Sequence, residues 1–160
     1  MAEKLIKIRF ELDPSDWHGH GSETLWATQA VGLDACYQIE NSPFFVRGIS
    51  HLDVVKAVPS NAAHVLRFEG VLKRGGHSTY MLIVTDEPRF ASHWKIIGDK
   101  KCSYESMYID LSFGRRQLLS VDVPPTANLA EVYQALEQGE ADEVWLLQEG
   151  YAHLDNTTGH

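Results

Sequence analysis

The sequence predicts an α+β chain in which a small curled β-sheet or barrel precedes a ferredoxin-like βαββαβ sandwich. Three observations carry that expectation. Residues 5–12 alternate strictly, with Ile6, Ile8, Phe10 and Leu12 on one side and Lys7, Arg9 and Glu11 on the other, the period-2 mark of a half-buried strand. Several short β-like runs crowd the stretch before residue 60, which suits a curled sheet or barrel. From Ser78 onward, strand-like runs alternate with two amphipathic helical stripes. The division near residue 60 gives a β-rich part, 1–60, and an α+β part, 61–160, expected to form one compact unit.

The elements follow in order. After the alternating strand comes a polar loop, 13–22, and then β-like runs at 23–31, 35–40 and 52–58, separated by Gly32, by Asn41-Ser42-Pro43 and by Gly48, all turn formers. Residues 64–73 and 78–85 read as two strands of a hairpin joined across Arg74-Gly75-Gly76, where glycine can take positive φ. Pro88 suits a first helical turn, Phe90, Trp94 and Ile97 share one face, and Gly98 can close the helix. Runs at 102–107 and 117–123 read as strands. Pro124-Pro125-Thr126 then stops the second and can cap a helix whose stripe is Leu129, Val132, Tyr133 and Leu136, ending at Gly139. Residues 143–148 make a final strand.

Composition narrows the function. At 160 residues and 44% hydrophobic the chain can bury a sizeable core, so disorder is not expected. No run approaches the ~18 apolar residues that span a bilayer. The first ten residues interleave Lys and Arg with Ile and Leu, unlike a secretory apolar run. A cytoplasmic protein is expected. Cys36 and Cys102 have no Cys-x-x-Cys spacing and read as two reduced structural thiols. Net charge is −8, and no Lys or Arg follows Arg116, whereas Asp122, Glu131, Glu137, Glu140, Asp142, Glu143, Glu149 and Asp155 do. Such a surface disfavours direct nucleic-acid or membrane binding and attracts a basic protein partner.

Candidate chemistry is sparse. Gly75-Gly76-His77-Ser78-Thr79 places an imidazole and two hydroxyls at a turn but lacks a Walker lysine and a following helix. His18 and His20 sit two apart in a loop with no partner set, so no metal site and no cofactor is expected. Glu23 and Asp53 would form an acid–base cluster only if they converged on His77, and no nucleophile elbow or dinucleotide fingerprint names a reaction. No catalytic residue is assigned. Trp94, Tyr133 and Trp145 read as packing residues, while Trp26, Tyr37, Phe44 and Phe45 lie beside turns where a pocket can form.

Glu23-Thr24-Leu25-Trp26-Ala27, residues 37–41, Pro43-Phe44, Asp53-Val54-Val55 and Gly76-His77-Ser78-Thr79, taken in that order, resemble the bacterial family known as domain of unknown function 4265. The resemblance spans roughly residues 7–151. It implies a bacterial cytoplasmic protein of this layout and brings no activity or catalytic residue with it.

The sequence therefore favours a non-enzymatic binding protein, most specifically an immunity protein that neutralises a cognate bacterial toxin, with Glu137, Glu140, Asp142 and Glu143 as interface residues. The alternatives are a small-ligand sensor with a pocket at Glu23, Trp26, Tyr37, Asp53, His77 and Thr79, or a hydrolase using His77 with Asp53 or Glu23.

Overall fold

A computed structural model describes residues 4–154. Met1 to Glu3 of the basic and apolar N-terminal segment, and Asp155 of the acidic C-terminal stretch, lie outside the described residues.

The strict alternation at the start folds as expected. In β1 (Ile6–Glu11), Ile8 and Phe10 are buried and Lys7 is exposed. β1 is the first of five strands, with β2 (Ser22–Gln29), β3 (Cys36–Ile39), β4 (Val54–Pro59) and β5 (Val65–Lys73), that form a closed barrel. Closure comes from β5, which pairs antiparallel with β4 and parallel with β1, Lys7 opposite Val65 and Arg9 opposite Arg67. Ile8, Phe10, Leu25, Ala27, Ile39, Val55 and Ala57 fill the interior, with Val46 and Ile49 of the loop between β3 and β4.

The second sheet begins at β6 (Ser78–Val84) and continues through α1 (Glu87–Gly98), β7 (Ser103–Leu111), β8 (Gly114–Val123), α2 (Leu129–Ala141) and β9 (Trp145–Tyr151). Its strands stand in the order β7-β8-β6-β9, every neighbour antiparallel. Both helices pack on one face, where Tyr80, Leu82, Val84, Ile97, Leu119, Val121, Val132, Leu136 and Trp145 form the core. Each helix starts at a side-chain cap: Asp86 accepts from the Arg89 amide and Asn128 from the Glu131 amide. The cap of α2 is therefore Asn128, not the predicted Thr126. Tyr133 is 38% exposed, so its part in that helix stripe is peripheral.

The predicted hairpin across residues 74–76 does not form. β5 belongs to the barrel and β6 pairs only with β8 and β9, so residues 74–77 are a crossover between sheets. The glycines serve this crossover for two reasons. Gly76 has φ +91°, and a Cβ on Gly75 would stand 2.6 Å from the Leu52 carbonyl oxygen, where only glycine fits. The true hairpin of this half is β7 with β8, closed at Leu111 opposite Gly114.

Candidate functional site

Strand parity divides the second sheet into a helix-covered face and a face turned to the barrel. On the latter, β6 carries Thr79, Met81 and Ile83, β8 carries Asp122, Ser120 and Leu118, and β7 carries Ser103, Glu105, Met107 and Ile109, placed side by side by the register. One end of this face is polar and the other apolar. Barrel loops cross both ends. At the apolar end Phe45 joins Met81, Ile109 and Leu118 in a shared cluster, with Leu12, Trp17 and Phe44 against it, so barrel and sheet share buried surface. At the polar end the Ser50 and Thr79 hydroxyls share a 2.7 Å hydrogen bond, and the Ser120 hydroxyl donates to the Pro43 carbonyl at 2.6 Å.

The predicted pocket residues have separate roles. Glu23 accepts from the backbone N–H groups of Phe44, Phe45 and Val46 at 2.7, 2.9 and 2.9 Å, fixing the loop that caps the apolar end. Asp53, fully buried, accepts from the Ser50 and Gly75 amides and from the Arg74 guanidinium. Thr79 is committed to Ser50. Trp26 is exposed, with the Lys7 ammonium 5.1 Å over its ring, and Tyr37 is half-buried on the barrel wall, opposite Val55 and Gln29. His77 donates from Nδ1 to Asp122 Oδ1 at 2.8 Å, so its carboxylate partner is neither Asp53 nor Glu23.

Two clefts open along the junction, and none of those six residues lines either. The smaller, about 110 Å³, lies at the polar end between Glu40, Ser42 and His51 of the barrel side and Glu105, Ser120 and Asp122 of the sheet. Here the His51 ring meets the His77 ring edge to face, centroids 5.1 Å apart. One ligand-type atom from each of His51, His77 and Asp122 lies within 4.8 Å of the others. Burial raises the Glu105 pKa, with a further upward push from Asp122 and an opposing pull from His51. Sequence reasoning missed His51 and Asp122, because nothing in their local sequence signals a convergence that only the packing of two sheets creates.

The larger cleft, about 530 Å³, lies at the apolar end under Trp17 and His18, with Met81, Ile83, Leu111, Phe113 and Leu146 on the sheet. Phe113 and Leu146 are 50% and 45% exposed at its rim. His18 and His20 brace the covering loop: the His20 amide donates to His18 Nδ1 at 2.9 Å, the His20 ring bonds the His18 carbonyl at 2.8 Å, and His20 stacks on Phe45 at 4.4 Å. Burial holds the His18 pKa below its ordinary 6.5. Below pH 6.5 the unfolded chain therefore binds more protons at this residue than the folded one, and stability falls as pH drops through the depressed folded value. Between about pH 7.5 and 5.5 the melting temperature should decline, and His18→Gln should make that decline shallower. Equal slopes would remove the assignment.

The predicted interface acids gather at the end of α2. Glu137 and Glu143 are exposed, and Glu143 adopts φ +61°. Asp142 accepts from His93 Nε2 at 2.9 Å and from Gln138 at 3.0 Å, bonds that lower its pKa. Glu140 accepts from the Leu147 amide at 2.7 Å on β9, an edge strand. Glu137 above all, with Glu149 and Glu140, raises the pKa of the Tyr133 phenol, so α2 and β9 present one acidic surface around an exposed ring.

A five-stranded barrel joined to a four-stranded sheet with two helices makes this a mixed α+β protein. The chain belongs to the family described as Domain of unknown function (DUF4265), whose model matches residues 23–147, as the resemblance in its sequence implies. It is similar to a crystal structure of a hypothetical protein from Neisseria gonorrhoeae, with a TM-score of 0.67 over 97% of this chain and 99% of that chain. At 16% identity that likeness speaks for the fold alone. None of the curated proteins matches the chain. Among the described residues no helix is long and apolar enough to cross a membrane.

Proposed function

We propose that the protein is a non-enzymatic binding protein that captures a basic protein partner, in its most specific form a bacterial immunity protein that occludes the basic cleft of a cognate toxin. The observation that carries this reading is the convergence of Glu137, Glu140 and Glu149 around exposed Tyr133. An aromatic anchor ringed by carboxylates suits a positively charged surface, which the acids steer and the ring anchors. Asp142 and Glu140, held by internal bonds, shape this surface, and Glu137, Glu143 and Glu149 supply its free charge. Residues 78–151 are read as a ferredoxin-like sandwich on the strength of their element order and strand order. A cytoplasmic setting is supported by Cys36 and Cys102, both free and buried, since burial that lifts the Cys102 thiol to about 11 suits an inert reduced thiol.

A second reading, a small-ligand sensor, is favoured by one observation: the 530 Å³ cleft lies within the size range of small-molecule sites and has exposed apolar rims. One experiment separates the two. Tagged protein is recovered from its native lysate at low and high salt, and the bound protein and small-molecule fractions are identified. A stoichiometric basic protein, weakened by salt and lost from Glu137→Lys/Glu149→Lys, is the expected result. Unchanged capture by that variant would refute the interface. A stoichiometric metabolite retained by the charge variant but lost from Leu146→Glu would put the sensor first.

A further inference from the structure

We propose that His51, His77 and Asp122 bind a divalent transition metal ion of the zinc class, with Glu105 as the fourth donor, at the polar end of the junction. The donor set is two imidazoles and carboxylates, which suits borderline ions such as Zn²⁺ and Co²⁺ more than hard Mg²⁺ or Ca²⁺. Bonds of about 2.0–2.1 Å in a four-coordinate site put ligand atoms roughly 3.3 Å apart. The three atoms of His51, His77 and Asp122 lie within 4.8 Å of one another, so bringing those three to that spacing takes side-chain shifts of the order of 1 Å, while Glu105, which lines the same cleft, has to swing in as the fourth. His77 and Asp122 already meet at 2.8 Å through a hydrogen on Nδ1, and a cation taking that place moves the proton to Nε2 of the same ring, the tautomer that leaves Nδ1 free to ligate.

The surroundings favour a cation independently of the distances. Glu40, Glu105 and Asp122 line the cleft together with His51, and no Lys or Arg does. Glu105 stands opposite Ser120 on β7 while Asp122 stands opposite Ser103, which puts both carboxylates on one face, two residues apart along the ladder. Carboxylates left to repel one another in a partly closed cleft are stabilised by a bound positive ion. The ligands also come from different parts of the fold. His51 belongs to the loop between β3 and β4, His77 to the crossover, and Asp122 to a central strand of the sheet. A metal here ties the barrel to the sheet, and its binding is legible as stability as well as occupancy.

The test uses metal-stripped full-length protein titrated with Zn²⁺ by calorimetry and with Co²⁺ by visible absorption, beside His51→Ala, Asp122→Asn and a His18→Ala/His20→Ala control. His51 is half-buried on a loop, and circular dichroism is the check that its variant is folded. The wild type and the control should bind one equivalent, gain melting temperature with Zn²⁺ and show the d–d bands of nitrogen and oxygen ligation with Co²⁺. His51→Ala and Asp122→Asn should lose at least the 10–100-fold in affinity that even an outer-shell partner is worth, together with the melting shift. No binding by the wild type, or equal affinity in the two folded ligand variants, would overturn the site. Loss of binding in the loop control alone would move it to His18 and His20 and equally refute the assignment.

Discussion

Asp53→Ala should lower the unfolding free energy by about 3–5 kcal/mol, the cost of removing one partner from a buried, hydrogen-bonded charge pair. Asp53 has no exposed surface. Its Oδ2 accepts from the Ser50 amide and from Arg74 Nη1, each at 2.9 Å, and its Oδ1 accepts from the Gly75 amide at 3.0 Å. Arg74 in turn donates to the Gly48 carbonyl at 2.6 Å and lies 3.9 Å over the Tyr151 ring. One carboxylate thus holds the loop after β3, the crossover into the second sheet and the last strand. Truncation strands two amide donors and a guanidinium that is only partly exposed, which are the costly kinds of unmade bond. Asp53→Asn keeps one carbonyl oxygen and should recover part of the loss. Urea unfolding measures both, and a loss below about 1 kcal/mol for the alanine variant would show that the carboxylate does not anchor the junction.

Gly139→Ala should destabilise the protein by about 1–3 kcal/mol, the usual cost of overpacking a filled core, against the sign that helix propensity gives. In the interior of an exposed helix the same change stabilises by roughly 1 kcal/mol. Here a Cβ on Gly139 falls on Cζ2 and Cε2 of Trp145. That indole cannot withdraw, because it is fully buried and its Nε1 donates to the Leu136 carbonyl at 2.9 Å. α2 therefore approaches β9 closely only where a side chain is missing. A thermal or urea midpoint above that of the wild type would mean that the indole finds another place.

These two residues show what the sequence reveals and what it hides. Gly139 reads as a helix terminator, which is near the end of α2, but its packing against an indole on the following strand is tertiary. The strand alternation of Ile8 and Phe10, the stripe of Val132 and Leu136, and the Pro88 helix start are legible because each is a local period. The hairpin across Gly75-Gly76 misleads for the same reason. Two glycines beside strand-like runs look alike whether the chain turns back or crosses over, and the parallel pairing of β5 with β1 that decides between them is not a local property. Glu23 and Asp53 are legible as candidate acid–base groups, yet their partners are backbone amides, most of them distant in sequence, and, for Asp53, the Arg74 guanidinium. The candidate metal ligands are less visible still, since His51, His77 and Asp122 meet only after both sheets have formed. The acidic segment was readable in composition, whereas the internal bonds of Asp142 and Glu140 had to be seen in space.

Because the chain passes between its two sheets once, at residues 74–77, the order of synthesis matters. The barrel has all five of its strands as soon as Lys73 has left the ribosome, and it can close before any strand of the second sheet exists. Until β6 to β9 follow, the cluster of Phe45, Trp17 and Phe44 lacks Met81, Ile109 and Leu118, and the loop histidines His18 and His20 lie against Phe45. The nascent chain thus passes through an interval in which an apolar flank of the barrel is open, and the later half of the protein is what ends it.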